Sequence, residues 1–210
     1  MARLHLFDLD STLMHGTSAP VQISRQLGLE AETVALDQAI GAGLIGPSEY
    51  AQQVYELWAS LTEAHVVAVF EGAPWLTRIR EVWEEIRGRG DYCAVVSLSP
   101  SFFVERLIGW GAHAAYGSRF PAVPFTEPVD PAGALSAAAK VLIADLLCEQ
   151  FGVTRADCVA YGDSSSDKDL FAAVPISVAV NADHQLSDIS THSYKGMDLW
   201  EAYELVCRAR

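Results

Sequence analysis

Short apolar runs closed by Asp, Ser or Asn alternate along this chain with longer stretches of helical periodicity. The runs Leu4–Phe7, Tyr92–Val96, Cys158–Tyr161 and Ile176–Val180 are brief and apolar throughout, the pattern of strands buried on both faces. Between them, Leu76–Arg87, Pro100–Gly109, Leu135–Phe151 and Asp167–Ala173 read as helices. Strands separated by helices predict an α/β protein with a parallel sheet. In "LSPSFFVERL", Ser99 reads as an N-cap and Pro100 as the first helical residue. The Pro-rich stretch Phe120–Gly133 predicts an irregular loop or a short hairpin.

One segment breaks the alternation. Ser18–Leu27, Ala31–Ala42, Pro47–Ala59 and Thr62–Phe70 read as successive helices joined by Gly and Pro. A crossover from the first strand to the second needs only the last helix, Leu76–Arg87. Residues 15–73 therefore predict a small helical domain inserted into a core made of residues 1–14 and 74–210. Tyr55, Trp58 and Trp75 read as the core of that insert. Its position directly behind "DLDST" suits a lid.

Composition narrows the partners. The formal net charge is −13 over 210 residues, and dense Lys/Arg patches are absent, which argues against nucleic acid or an anionic membrane as partner. Cys93, Cys148, Cys158 and Cys207 are scattered without metal-type spacing and read as reduced thiols. Met1–Pro20 carries acids instead of an uninterrupted apolar segment, and no run is long enough to span a bilayer. A soluble cytoplasmic protein is the expectation.

The candidate chemistry lies where the strands end. In open parallel sheets, ligands bind beyond the carboxyl ends of the strands. The first strand delivers Asp8 and Asp10 there, the second Ser97, and the third Asp163, with Asp167 four residues later. Carboxylates converging in one crevice repel unless a divalent cation sits among them, and hard oxygen ligands suit Mg²⁺. One of the first pair can act as nucleophile, forming an aspartyl-phosphate, while the other exchanges protons with the leaving group. Thr12 and the N–H groups from Leu9 to Thr12 offer phosphate contacts, and Lys140 offers a cation. Bland readings stand beside these. Asp163 reads equally as a helix N-cap, Lys140 as a solvated helix residue, and Ser97 and Ser99 compete for the phosphate. His5 reads as a core histidine, and Asp169 as a surface acid of its helix.

Taken in order, "DLDST", the Ser97 of "VVSLSPS", Lys140 and "GDSSSD" resemble the four motifs of the haloacid dehalogenase superfamily. With the helical insert, and with "VERLIGWGAHAAYGSRF" and "AVNADHQLSDIS", the chain resembles its subfamily IB, the phosphoserine phosphatase-like hydrolases. The resemblance implies a Rossmann-like parallel-sheet core with an inserted C1-type helical cap, and Mg²⁺-dependent hydrolysis of a small phosphomonoester. It implies Asp8 as nucleophile and Asp10 as general acid/base, whose backbone carbonyl binds metal. It also implies Ser97 on the phosphate, Lys140 bracing the nucleophile, and Asp163 and Asp167 at the metal with Asp8 and Asp10. Ser11, Thr12, Thr17, Leu98 and Ser99 are the expected substrate contacts. The acid at position 10 favours phosphatase over dehalogenase.

Two departures bear on the substrate. Thr17 stands where phosphoserine phosphatases carry the Glu that holds the substrate ammonium, and no Lys or Arg occurs from Gln26 to Thr77 to hold a carboxylate. The insert instead carries Glu30, Glu32, Asp37, Glu49, Glu56, Glu63 and Glu71 against the single Arg25. Phosphoserine is therefore disfavoured, and an amino-alcohol, amino-sugar or sugar phosphate is favoured. Alternatives are a phosphotransferase using the same intermediate, and a non-catalytic binding protein on this scaffold.

Overall fold

A computed structural model describes residues 2–207. Six strands form one parallel sheet: β1 (Leu4–Phe7), β2 (Tyr92–Pro100), β3 (Ala114–Ser118), β4 (Cys158–Gly162), β5 (Ile176–Val180) and β6 (His192–Tyr194). Their spatial order is β3-β2-β1-β4-β5-β6. The chain thus steps from β1 to β2 on one side and reaches β4 on the other, which makes β1 the switch point where a ligand crevice opens.

Side-chain alternation divides the core between the two faces of the sheet. Phe7, Val95 and Tyr161 pack with helices α5 (Ile79–Gly88) and α10 (Leu199–Cys207), using Trp83 and Tyr203 among others. Leu4, Leu6, Val96 and Ala160 face the opposite layer, where α7 (Ala137–Phe151) and α8 (Lys168–Ala173) supply Leu147 and Phe171. His5 lies buried on the first face, its Nδ1 at 3.1 Å from the Tyr161 hydroxyl, as a core histidine should.

The inserted segment forms four helices: α1 (Ala19–Leu27), α2 (Glu30–Gly41), α3 (Pro47–Leu57) and α4 (Glu63–Gly72). Local chemistry sets their ends. The Ser18 side chain accepts from the Val21 N–H at the start of α1, Pro20 sits in its first turn, and Gly28 closes it at φ 74°. Thr62 caps α4 by accepting from the His65 N–H. The chain leaves and re-enters the core at a single antiparallel bridge, Met14 to Trp75. Nevertheless the insert has no separate core. Ile23, Val54, Trp58 and Phe70 belong to the same apolar cluster as Phe7 and Trp83.

Several expectations need correction. No helix begins at Pro100: β2 runs on to that residue, and the helix is the short α6 (Ser101–Val104), followed by a 3-10 turn over Glu105–Trp110. The Ser99 hydroxyl is engaged elsewhere, as described below, and does not cap. Strands β3 and β6 and helices α9 (His184–Ser187) and α10 were not anticipated. The Phe120–Gly133 loop is irregular as expected, but it is tied to α3. The Tyr55 ring stacks on Phe125 at 4.9 Å, the Tyr55 hydroxyl donates to the Glu127 carbonyl, and Ser48 donates to that of Pro131. Among the described residues, no helix is long and apolar enough to cross a membrane.

Candidate active site

Register places the catalytic candidates at one edge. Phe7 pairs with Val95 of β2 and Tyr161 of β4, so Asp8, Ser97 and Asp163 leave the sheet side by side. The turn after Asp8 doubles back sharply. Ser11 adopts a left-handed φ of 54°, and the N–H groups of Thr12, Leu13 and Met14 all donate to the Leu9 carbonyl.

Asp8 and Asp10 then meet different surroundings. Asp8 is buried, with Oδ1 at 2.9 Å from the Lys140 ammonium. Asp10 turns the other way: Oδ1 accepts from the Ala19 N–H at 2.7 Å, and Oδ2 from the Ser99 hydroxyl at 2.6 Å and the Ser97 hydroxyl at 3.1 Å. The competition between Ser97 and Ser99 thus resolves into a shared duty on Asp10. They are two residues apart on β2, where the pairing with β3 shifts register between Val96 and Pro100. Gly117 of β3 makes room for that shift, since a Cβ there would stand 2.5 Å from the Ser99 carbonyl oxygen.

Lys140 is not solvated. It is fully buried in α7 and bonds Asp167 Oδ1 at 2.7 Å and Ser166 Oγ at 3.3 Å as well as Asp8. Burial alone would lower its pKa, but the two carboxylates outweigh that and raise it, so the ammonium stays charged. Asp167 sits in a 3-10 turn, Ser165–Asp167, just before α8, and its Oδ2 accepts from the N–H groups of Asp163 and Ser164. Its carboxylate fills the space where a Gly162 Cβ would lie, 2.4 Å away.

Asp8, Asp163 and Asp167 each present an oxygen within 4.8 Å of the others, while the Asp10 side chain points toward the serines. Burial pushes Asp8 upward, Lys140 opposes, and the neighbouring carboxylates push further. Burial and Asp167 likewise push Asp163 up to about 7, against the pull of Lys140. Burial also raises Asp10, opposed by its hydrogen bonds. Three carboxyl groups thus cluster beside one ammonium, and their oxygen-only donor set fits a hard divalent cation such as Mg²⁺.

The expected substrate contacts occupy different surroundings. The Thr12 hydroxyl is buried and donates to Asp163 Oδ1 at 3.3 Å, orienting that carboxylate. The Ser11 N–H donates to the Thr17 carbonyl, and the Thr17 hydroxyl accepts from the Gln22 side chain of α1. Leu98 and Ser99, by contrast, line a cavity of about 340 Å³ between Asp10 and the insert. Its walls are largely apolar, with Pro20, Ile40, Pro47, Val54 and Phe120. Among the acids of the insert, only Asp37 reaches it, accepting from the Tyr50 hydroxyl at 2.6 Å. Glu30 instead pairs with Arg25 and Glu63 with Arg106 on the surface. Tyr50 lines the cavity without any sequence signal that marks it, because only tertiary packing brings it there.

Comparison with known proteins finds relatives of this fold. Phosphoserine phosphatase of Archaeoglobus fulgidus is 24% identical over 193 residues, covering 91% of this chain and 56% of its own length. Phosphoglycolate phosphatase 1 of Saccharolobus solfataricus is 28% identical over 118 residues, 56% of this chain and 47% of that protein. The chain therefore spans about half the length of these curated relatives. A substrate-bound phosphoserine phosphatase shares the fold with a TM-score of 0.82 at 22% identity, covering 98% of both chains. A phospho-aspartyl intermediate analogue of phosphoserine phosphatase matches with a TM-score of 0.80 at 23% identity, covering 97% of this chain and 98% of the other. The sequence profile of haloacid dehalogenase-like hydrolases matches residues 5–172, from β1 through Asp8, Lys140 and Asp167 to α8, and the chain belongs to that family.

Proposed function

We propose that the protein is a Mg²⁺-dependent phosphomonoester hydrolase that works through an aspartyl-phosphate on Asp8. The observation that carries this reading is the division between two neighbouring carboxyls. Burial raises both, but Asp8 lies against the Lys140 ammonium, whereas Asp10 accepts from two hydroxyls and a backbone N–H beside the cavity. A carboxylate braced by a cation suits nucleophilic attack, and a carboxyl lining the cavity suits proton exchange with the leaving group.

Asp8 attacks phosphorus, the bond from phosphorus to the ester oxygen breaks, and Asp10 gives its proton to that oxygen. Asp10 then takes a proton from water as the water attacks phosphorus, which releases inorganic phosphate and restores Asp8. Lys140 fixes the Asp8 carboxylate and offsets charge on the phosphoryl oxygens, while Asp167 fixes Lys140. Asp8, Asp163 and the Asp10 carbonyl would hold Mg²⁺, with Asp167 beside them; when bound it supplies positive charge to the phosphoryl oxygens. Residues 15–73 act as a cap that shields the reaction from bulk water. One fact supports this: the cavity is shared between the insert and the strand ends.

The substrate is a small phosphomonoester other than phosphoserine, with an amino-alcohol, amino-sugar or sugar leaving group. No Lys or Arg lines the cavity to receive a carboxylate. Release of inorganic phosphate from p-nitrophenyl phosphate tests the reading. It should require Mg²⁺ and stop on chelation, and Asp8→Asn should reduce it by several orders of magnitude. Substantial turnover by that variant would sink the covalent mechanism.

A further inference from the structure

Among the described residues, the cavity is lined by two carboxylates and no cation. Asp10 belongs to the strand edge. Asp37 belongs to α2, where its one hydrogen-bonded partner among the described residues is the neutral Tyr50 hydroxyl of α3, at 2.6 Å. The apolar residues that line the cavity with Asp37 include Ile40, Pro47, Ala51 and Val54. A carboxylate placed against apolar side chains lacks the charge that would offset its loss of water. Burial accordingly raises its pKa, and Tyr50 opposes.

Three ligand chemistries can be compared against these walls. A carboxylate-bearing ester would set like charge against Asp37 in a partly desolvated space. A polyhydroxylated sugar would bring many polar groups to walls that offer few partners, at a cost for each one left unpaired. A protonated amine on a short hydrocarbon chain suits both features, since the ammonium meets Asp37 and the chain meets Pro20, Val54 and Phe120. The scale is small as well. About 340 Å³ lies at the low end for ligand pockets, and the Asp10 charge is near enough to contribute to the raised pKa of Asp37.

We propose that Asp37, oriented by Tyr50, recognises the leaving group, and that this group is a short alkyl chain bearing a primary ammonium. The assignment rests on the hydrolase reading for where the phosphoryl end lies, but its test needs no turnover. The full chain with Mg²⁺ is titrated calorimetrically with two nearly isosteric, non-hydrolysable ligands, 3-aminopropylphosphonate and butylphosphonate. The wild type should bind the amine about tenfold or more tightly, as an ion pair in a partly desolvated site implies. In Asp37→Asn, which keeps size and removes charge, that gap should close while butylphosphonate affinity stays within about twofold. Tyr50→Phe should narrow the gap without closing it. Equal affinities in the wild type, or a gap that persists in Asp37→Asn, overturn the assignment. A gap that closes as expected in a protein that never hydrolyses p-nitrophenyl phosphate upholds the assignment and overturns the hydrolase reading alone.

Discussion

Asp8 and Asp10 are separated by one residue, and what distinguishes them is the set of donors each one meets. A turn with Ser11 at φ 54° points one carboxylate at Lys140 and the other at two serine hydroxyls. If Asp10 supplies the leaving-group proton, Asp10→Asn should slow poorly acidic alkyl phosphates far more than an aryl phosphate whose leaving group needs no proton. Steady-state kcat on the two ester classes checks this, and equal losses would count against the acid role. The carboxylate pair was legible in the sequence because the spacing of the four motifs resembles a known family. The duties of Ser97 and Ser99 were not. Side chains alternate along a strand, so residues two apart share a face, but nothing local says what they face, and only the folded hydrogen bonds show that both reach Asp10. Asp37 was similarly one of seven acids in the insert, with nothing local to separate it from Glu30 or Glu63.

At the scale of elements, Gly162 couples strand to site. β4 ends there, and the Asp167 carboxylate folds back into the space beside its Cα. Gly162→Ala would force that carboxylate away from Lys140 and from the Asp163 N–H, at a cost of roughly 1–3 kcal/mol of stability. The Mg²⁺ concentration needed for half-maximal activity should rise at the same time. Thermal denaturation and a metal titration measure the two effects, and an unchanged metal requirement would separate Gly162 from the site. The bounds of β1 and β5 match the apolar runs that announced them, since a strand buried on both faces leaves a continuous signal. β3 is small-residue and Gly-containing, "AAYGS", and β6 is three residues of mixed polarity at the sheet edge, so neither leaves such a run. The helix expected at Pro100 failed because Ser99, a good cap in isolation, is drawn to Asp10 by tertiary structure.

For the molecule as a whole, the carboxyl cluster sets a pH dependence whose sign follows from its pKa values. Asp163 stands at about 7 in the fold, against roughly 4 for an unfolded Asp. Between those values the folded chain holds a proton that the unfolded chain has released, so stability of the metal-free protein should fall as pH rises from about 4 to about 7. Mg²⁺ competes with that proton, so its stabilising effect should grow over the same window. Melting temperatures in chelator and in Mg²⁺ across this range test both slopes; a chelated protein that gains stability through this window would contradict them. A different consequence follows from the apolar cluster that runs unbroken from Phe7 through Trp58 to Phe70, whose ring meets Phe103 at 5.3 Å. Swapping residues 15–73 for the equivalent stretch of a relative would cut through that packing and leave both halves with mismatched surfaces. New substrate range in this scaffold is therefore best sought by point changes at Asp37, Ile40 and Pro47, which line the cavity outside that cluster.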